Sequence, residues 1–205
     1  MKKGERTRRQ LLDRAADLLN RHGYLGTPFS RISAAVGLEK GGIYNYFTSR
    51  EELGLAAFDH AAERASARLR RALEEHPDPR SRLSALLEVF RDYLHNPPVP
   101  GGCPLINAAV ESDGTHPALR TRVRAAVGSL HDLTARLIRE AQRSGDLRTA
   151  LEPEEAASVI IATLEGAIML ARLEDDPLHL ERAVRHLRTY LELPAPSPAL
   201  KEPYA

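Results

Sequence analysis

The chain has a single cysteine, Cys103, among its 205 residues. One thiol forms neither an intramolecular disulfide nor a cysteine-rich zinc site, and it suits a reducing cytoplasm. Tryptophan is absent and aromatics make up only 5%, so the core must be built from aliphatic side chains. Runs of Val, Ile and Thr are scarce, which removes the usual material of strands. The most apolar segment, "SVIIATLEGAIMLARL" (158–173), carries Glu165 near its middle and reads as too short to span a bilayer. The basic start "MKKGERTRRQ" has no apolar stretch behind it, so no secretory signal is expected. These shortages point to a soluble cytoplasmic protein with no membrane partner.

What is abundant is Leu, Ala, Arg and Glu, all strong helix formers, which predicts an all-α protein. The net charge of +1 hides an asymmetry. Residues 1–50 carry ten Lys and Arg against four acids, whereas the remaining residues carry 19 against 24. A basic end on a slightly acidic chain suits a polyanionic partner, although a solvated charged face reads the same way.

Apolar spacing and Pro/Gly punctuation predict about nine helices. The first covers 5–22, with Leu11, Leu12, Ala15, Ala16, Leu18 and Leu19 on one stripe and Gly23 as its stop. Thr27 and Pro28 suit the N-cap and first position of a helix over 28–36, ended by Gly37. A third short helix is expected over 41–47. Ser49 with Glu52 makes a capping box for a fourth, running to about 75. Further helices are expected over 80–95, 103–112, 116–144, 153–173 and 177–193. The tail "PAPSPALKEPYA" (194–205) is proline-rich, lacks periodicity and is expected to be poorly ordered.

The stretch "GLEKGGIYNYFTSREEL" (37–53) mixes glycines, rings and cations. Two short helices joined by a tight glycine-containing turn match a helix-turn-helix. Phe29, Ile32 and Val36 can be buried while Ser30 and Arg31 face out, and Ile43 and Phe47 can anchor the second helix. Tyr44, Asn45 and Tyr46 then lie on other faces. Gly41 and Gly42 allow close backbone approach, and Lys40 beside the helix start suits a phosphate. Asparagine reads adenine bidentately and tyrosine hydroxyls bond phosphates. A helical hairpin whose glycines merely fit a tight crossing is the competing reading.

From Arg6 to Leu53 the sequence resembles the TetR family of bacterial one-component transcriptional regulators. The resemblance rests on Thr27, Ile32 followed by Gly37, the small residues Gly41 and Gly42, Tyr44-x-x-Phe47, and Ser49-Arg50-Glu51-x-Leu53. It implies an N-terminal three-helix DNA-binding domain over 1–50 and a ligand-binding and dimerisation bundle over 51–193. It also implies phosphate contacts from Thr27, Lys40, Tyr44 and Arg50, and base-edge contacts from Gly41, Gly42, Asn45 and Tyr46. Glu39 departs from the family, which commonly has Ser or Thr there; a carboxylate repels phosphate, so it either points away from DNA, the preferred expectation, or reads a cytosine amine.

The resemblance further implies a homodimer on a near-palindromic DNA operator, acting as a repressor released by a small-molecule effector. Val159, Thr163, Gly166, Ala167 and Leu170, with Leu180, Val184, Leu187 and Leu191, are the expected interface, or else intramolecular core. Gly102, Cys103, Asn107 and Glu111 resemble a Gly-Cys-x-x-x-Asn-x-x-x-Glu pattern of one subgroup that includes drug- and flavonoid-responsive repressors. By helical spacing Cys103, Asn107 and Glu111 share one face, which could bind a polar ligand group, anchor the preceding Pro/Gly loop, or expose a redox-sensing thiol. The effector pocket, for a largely apolar or aromatic molecule, is expected from Phe90, Tyr93, Leu94, Cys103, Asn107, Glu111, Leu133, Leu137, Leu164 and Ile168. No His pair has metal-ligand spacing, so neither metal nor cofactor is expected. The alternatives are a redox-responsive regulator acting through Cys103 or a cysteine-dependent enzyme using Cys103 with His116 or His131. Neither His is near the thiol in sequence, and no catalytic residues are assigned.

Overall fold

The computed structural model describes residues 3–24 and 26–192. Nine helices and no strand occur among the described residues: α1 (Lys3–His22), α2 (Phe29–Val36), α3 (Lys40–Tyr44), α4 (Arg50–Glu74), α5 (Pro79–Arg91), α6 (Pro104–Ser112), α7 (Pro117–Arg143), α8 (Pro153–Glu174) and α9 (Leu178–Tyr190). The proline-rich tail expected to be poorly ordered lies outside the described residues.

Helix ends follow local chemistry. Gly37 closes α2 at φ +70, a left-handed angle that glycine adopts without steric cost, and its N–H donates to the Ser33 carbonyl. Pro104 and Pro153 open α6 and α8, where a missing N–H costs nothing. The Glu152 carboxylate caps α8 by accepting from the Glu154 and Glu155 amides.

Several boundaries differ from expectation, among them the start of α1 at Lys3 and the end of α9 at Tyr190. Pro28, not Thr27, is the N-cap of α2, and the Thr27 hydroxyl instead donates to the Gly23 carbonyl at 2.7 Å. Helix α3 ends at Tyr44, because the Tyr46 and Phe47 amides both turn back to the Ile43 carbonyl. Helix α5 ends at Arg91, and the segment beyond it is gathered by Arg68, which bonds the Asp92 carboxylate and the Asn96 carbonyl. The capping box is also displaced. Ser49 Oγ accepts the Glu52 amide as expected, but the Glu52 carboxylate takes the Thr48 amide and hydroxyl.

The chain packs as two compact units. The first holds the described residues of Met1–Arg70 and Asp92–Leu130. Its core joins Leu11, Ala15 and Leu19 of α1 to Ile32, Val36, Ile43 and Phe47, and to Leu53 and Phe58 of α4. Val99, Ala108, Leu119 and Val123 complete it. Tyr24 meets Phe58 edge-to-face at 5.8 Å. On the rim, Asp13 and Asp17 of α1 pair with His60 and Arg64 of α4 at 2.6 and 2.7 Å.

The second unit holds the described residues of Arg71–Arg91 and His131–Ala205. Leu83, Leu86, Leu87 and Phe90 of α5 are buried there, as are Leu137, Ile138, Ile160, Leu164, Ile168, Leu180, Val184, Leu187 and Leu191. Arg188 reaches Glu88 at 2.9 Å within the same unit. Helix α8, 22 residues long and extending beyond the apolar segment 158–173 at both ends, is the one helix among the described residues long and apolar enough to cross a membrane. One face of it is nevertheless core, through Ile160, Leu164 and Ile168. This division by packing is distinct from the division by role expected at residue 50.

Candidate nucleic-acid interface

Helices α2 and α3 each split into a buried and an exposed face. Ile32, Val36, Ile43 and Phe47 are buried in the first unit's core. Ser30, Arg31, Lys40, Gly41, Tyr44 and Asn45 are exposed, while Gly42, Tyr46 and Arg50 are half-buried. Between the helices lies a groove of about 650 Å³ lined by Phe29, Ser30, Ser33, Ala34, Gly37, Leu38, Glu39 and Lys40. A Cβ at Gly41 would meet nothing within 4 Å, so another surface can approach this backbone closely.

Of the four expected phosphate contacts, two are engaged internally. Thr27 is buried at 2% exposure, and its carbonyl accepts the Arg50 guanidinium at 2.6 Å. That bond fixes the start of α4 beside the loop before α2. Lys40 and Tyr44 remain outward, and their surroundings contain a residue the sequence reading assigned only to the core. Phe29 stacks on Tyr44 with ring centroids 5.6 Å apart and planes 7° apart. The Lys40 ammonium lies 5.8 Å from both ring centroids.

Arg31 donates to His22 Nε2 at 3.0 Å, and Arg14 donates to the Val36 carbonyl at 3.3 Å. The Arg8 guanidinium sits 4.9 Å above the Phe47 ring. Basic residues of α1 thus border the same two helices. Glu39 is exposed as the N-cap of α3, and its side chain makes no cap hydrogen bond.

The Gly-Cys-x-x-x-Asn-x-x-x-Glu segment is wired to the end of α1. Asn107 Nδ2 donates to the Asn20 carbonyl, the Asn20 side-chain oxygen and the Gly101 carbonyl, at 3.1, 3.1 and 2.9 Å. Asn20 Nδ2 donates in turn to the Pro100 and Gly102 carbonyls at 3.1 and 3.0 Å. The Glu111 carboxylate accepts the Tyr24 amide at 2.7 Å. Burial, with Glu111 and Cys103 nearby, pushes the Tyr24 phenol well above its ordinary pKa. Gly101 sits at φ +105, and a Cβ there would come within 2.9 Å of the Asn20 carbonyl oxygen. This geometry is that of a loop anchor. Asn20 itself escaped the sequence reading, although a polar residue four positions after Ala16 on an otherwise apolar stripe was a signal.

The ten residues expected to line an effector pocket divide between the units. Tyr93, Leu94, Cys103, Asn107 and Glu111 belong to the first; Phe90, Leu133, Leu137, Leu164 and Ile168 belong to the second. The Cys103 thiol is 2% exposed. His116 has both ring nitrogens engaged: Nδ1 accepts the Leu119 amide at 3.1 Å and Nε2 faces Glu51 at 3.3 Å. His131 contacts the Glu154 carbonyl and the Ser158 hydroxyl within the second unit.

The expected dimer residues also separate. Leu180, Val184, Leu187 and Leu191 are at most 3% exposed within the chain's own unit, so for them the intramolecular-core alternative applies. Ala167 is buried at 6%, and Thr163 and Gly166 are half-buried. Val159, Met169, Leu170 and Leu173 of α8 are instead exposed apolar residues.

Residues 11–57 match the family model of bacterial regulatory proteins of the tetR family, and residues 79–187 match that of the tetracyclin repressor-like C-terminal domain. The chain is 29% identical over 198 residues to an HTH-type transcriptional regulator of Mycobacterium tuberculosis, covering 91% of this chain and 96% of that one. It is 25% identical to the HTH-type transcriptional repressor DhaR of a Mycobacterium species, over 82% and 83% of the two chains. Among solved structures it is similar to a TetR transcriptional regulator of Chloroflexus aurantiacus. That likeness has a TM-score of 0.89 and 45% identity, and covers 94% of this chain and 97% of the other.

Proposed function

Because this chain belongs to the TetR family of bacterial transcriptional regulators, we propose that it is a homodimeric repressor that binds a near-palindromic operator and is released by a small, largely apolar or aromatic effector. The observation that carries this reading is the split of α2 and α3. Ile32, Val36 and Ile43 are buried, while Ser30, Arg31, Lys40, Tyr44 and Asn45 face out around a groove. Asn45 offers adenine a donor and an acceptor, and Lys40 and Arg31 neutralise phosphate. Gly41 lets the α3 backbone approach base edges, with Gly42 and Tyr46 at the margin of that contact. Arg50 and Thr27 serve by fixing the α4 start beside the loop before α2.

Two copies are needed because one short recognition helix contacts too few base pairs for genomic specificity. The exposed residues Val159, Ala162, Met169, Leu170 and Leu173 of α8, with half-buried Gly166 beside them, form the face proposed to meet its counterpart, with small residues admitting close approach. The effector is proposed to sit among apolar side chains of the second unit, Phe90, Leu133, Leu137, Leu164 and Ile168 among them. Asn107 holds the Gly101 turn to Asn20 of α1, and Glu111 holds α6 to Tyr24 just beyond it. Function in the cytoplasm follows from a DNA partner. A repressor's name on a 25%-identical relative supports the sign of regulation.

The test is a gel shift with DNA from the chain's own upstream region across a salt series. Preferential binding that weakens as salt rises is expected, because phosphate neutralisation releases counterions. Equal binding to all sequences, or indifference to salt, would sink the proposal.

A further inference from the structure

Phe29 is the least expected member of the reading face. As the first residue of α2 it packs partly against the core, yet one face of its ring meets Tyr44, the last residue of α3. The near-parallel rings, 7° apart at 5.6 Å, are an offset stack joining the two helices at their outer edge. Tyr44 is 42% exposed, so it stays open to a partner. Lys40 precedes Tyr44 by four residues, which places both on one face of α3. Its ammonium lies 5.8 Å from each ring, at the outer range of cation–π attraction.

We infer that Phe29 is a positioning residue for DNA binding: its ring holds Tyr44 and Lys40 in the orientation that presents a phenol and an ammonium to adjacent phosphates. The inference rests on the DNA-binding reading above and assigns a task to a side chain that touches no DNA itself. Free lysine and tyrosine side chains lose rotamer freedom when they bind a phosphate, which weakens the contact. A side chain already stacked loses less. The same stack ties the end of α3 to the start of α2 across a groove whose floor includes Gly37 and Leu38, so the phosphate contacts and the base-reading residues keep a fixed separation.

Alternative tasks for Phe29 make different demands. A purely structural ring would be replaceable by leucine, which fills similar space in the core, with no change in ionic behaviour on DNA. A positioning ring is not replaceable by leucine but is replaceable by another ring.

The experiment uses the full chain and a fluorescent duplex enriched by the wild-type protein from a random-sequence pool. Affinity is measured by anisotropy across a salt series, with thermal melting as a check on folding. Phe29→Leu is expected to weaken binding about 5- to 10-fold, with a shallower salt dependence by up to about one unit of log–log slope, as one phosphate contact loosens. Phe29→Trp should restore most of the affinity and slope. In a Tyr44→Ala background, Phe29→Leu should have little further effect. Because Tyr44 is exposed, Tyr44→Ala alone tests the stack from the other side without disturbing the core, and it should also flatten the salt slope through Lys40. Wild-type affinity and slope in Phe29→Leu, an undiminished effect of Phe29→Leu in the Tyr44→Ala background, or equal losses in Phe29→Leu and Phe29→Trp would each overturn the assignment while leaving the DNA-binding reading intact. A wild-type chain that enriches no duplex overturns both.

Discussion

Two clusters of polar residues, both flanked by glycines, have opposite fates in the first unit. At the loop anchor, here called the latch, Asn20, Asn107 and Glu111 are satisfied by the chain itself, through side chains, backbone carbonyls and the Tyr24 amide, across 80 residues or more of sequence. On the reading face, Lys40 and Asn45 stand in solvent. The glycines divide the same way. At Gly101 a Cβ would strike the Asn20 and Arg21 backbone, whereas at Gly41 it would meet nothing within 4 Å. One cluster stabilises the chain and the other is open for a partner, so substitutions should separate stability from DNA affinity.

The largest stability effect is expected at the latch. Asn107→Ala removes donors from the Asn20 and Gly101 carbonyls and strands partly buried acceptors. The expected loss is about 2–3 kcal/mol, read as a fall in melting temperature of about 4–12 °C. Gly101→Ala should lose a similar amount, through a left-handed φ of +105 and a clash with backbone that cannot move aside. If either variant melts like the wild type, the cluster is not an anchor.

Opposite behaviour is expected at Gly41→Ala. Alanine in an exposed helical position gains about 0.5–1 kcal/mol of stability over glycine. The added methyl should nonetheless weaken operator binding if the backbone there approaches DNA. A variant that is both more stable and equally tight on DNA would remove Gly41 from the interface. Asn45→Ala should leave melting unchanged and relax base preference at one position of each half-site, by about 1–3 kcal/mol of discrimination. Selection from a random pool checks it, and an unchanged preferred sequence would count against the role.

Much of the fold was legible because helix ends are written locally. Gly23, Gly37, Pro104 and Pro153 punctuate the chain, and the buried sets on α1, α2 and α3 recur at helical spacing. Hidden were pairings that depend on the tertiary path. Nothing near Asn107 in sequence points to Asn20, 87 positions away. The early end of α3 was invisible because a tight turn and a further helical turn share the same first hydrogen bonds. Leu180, Val184 and Leu187 form an apolar stripe that looks the same whether its cover is α5 and α8 or a second chain. Phe29 was read as core because a half-buried ring and a buried one share one residue type, and only the ring of Tyr44 beside it distinguishes them.

Glu52 is a third case: a half-buried polar residue that is internally partnered. Its carboxylate accepts both the hydroxyl and the amide of Thr48 at 2.6 Å, and these bonds, the hydroxyl first, hold it below the usual carboxylate range. A carboxyl whose folded pKa is depressed adds stability above its unfolded value, and that stability disappears as pH falls through the folded pKa. Glu52→Gln should therefore be slightly less stable than the wild type at neutral pH, and the difference should vanish in acid. Because these bonds are exposed to solvent, the effect is expected to be the smallest of those above, and raised salt should change it little, since neither Thr48 group carries a charge and only the lesser attraction of Arg8 is screened. Melting curves of the two proteins from neutral to acid pH check this. A gap that persists unchanged below the carboxylate range would mean that the bond to Thr48 does not depend on the charge, and Glu52 would then belong with the neutral, self-satisfied residues of the latch.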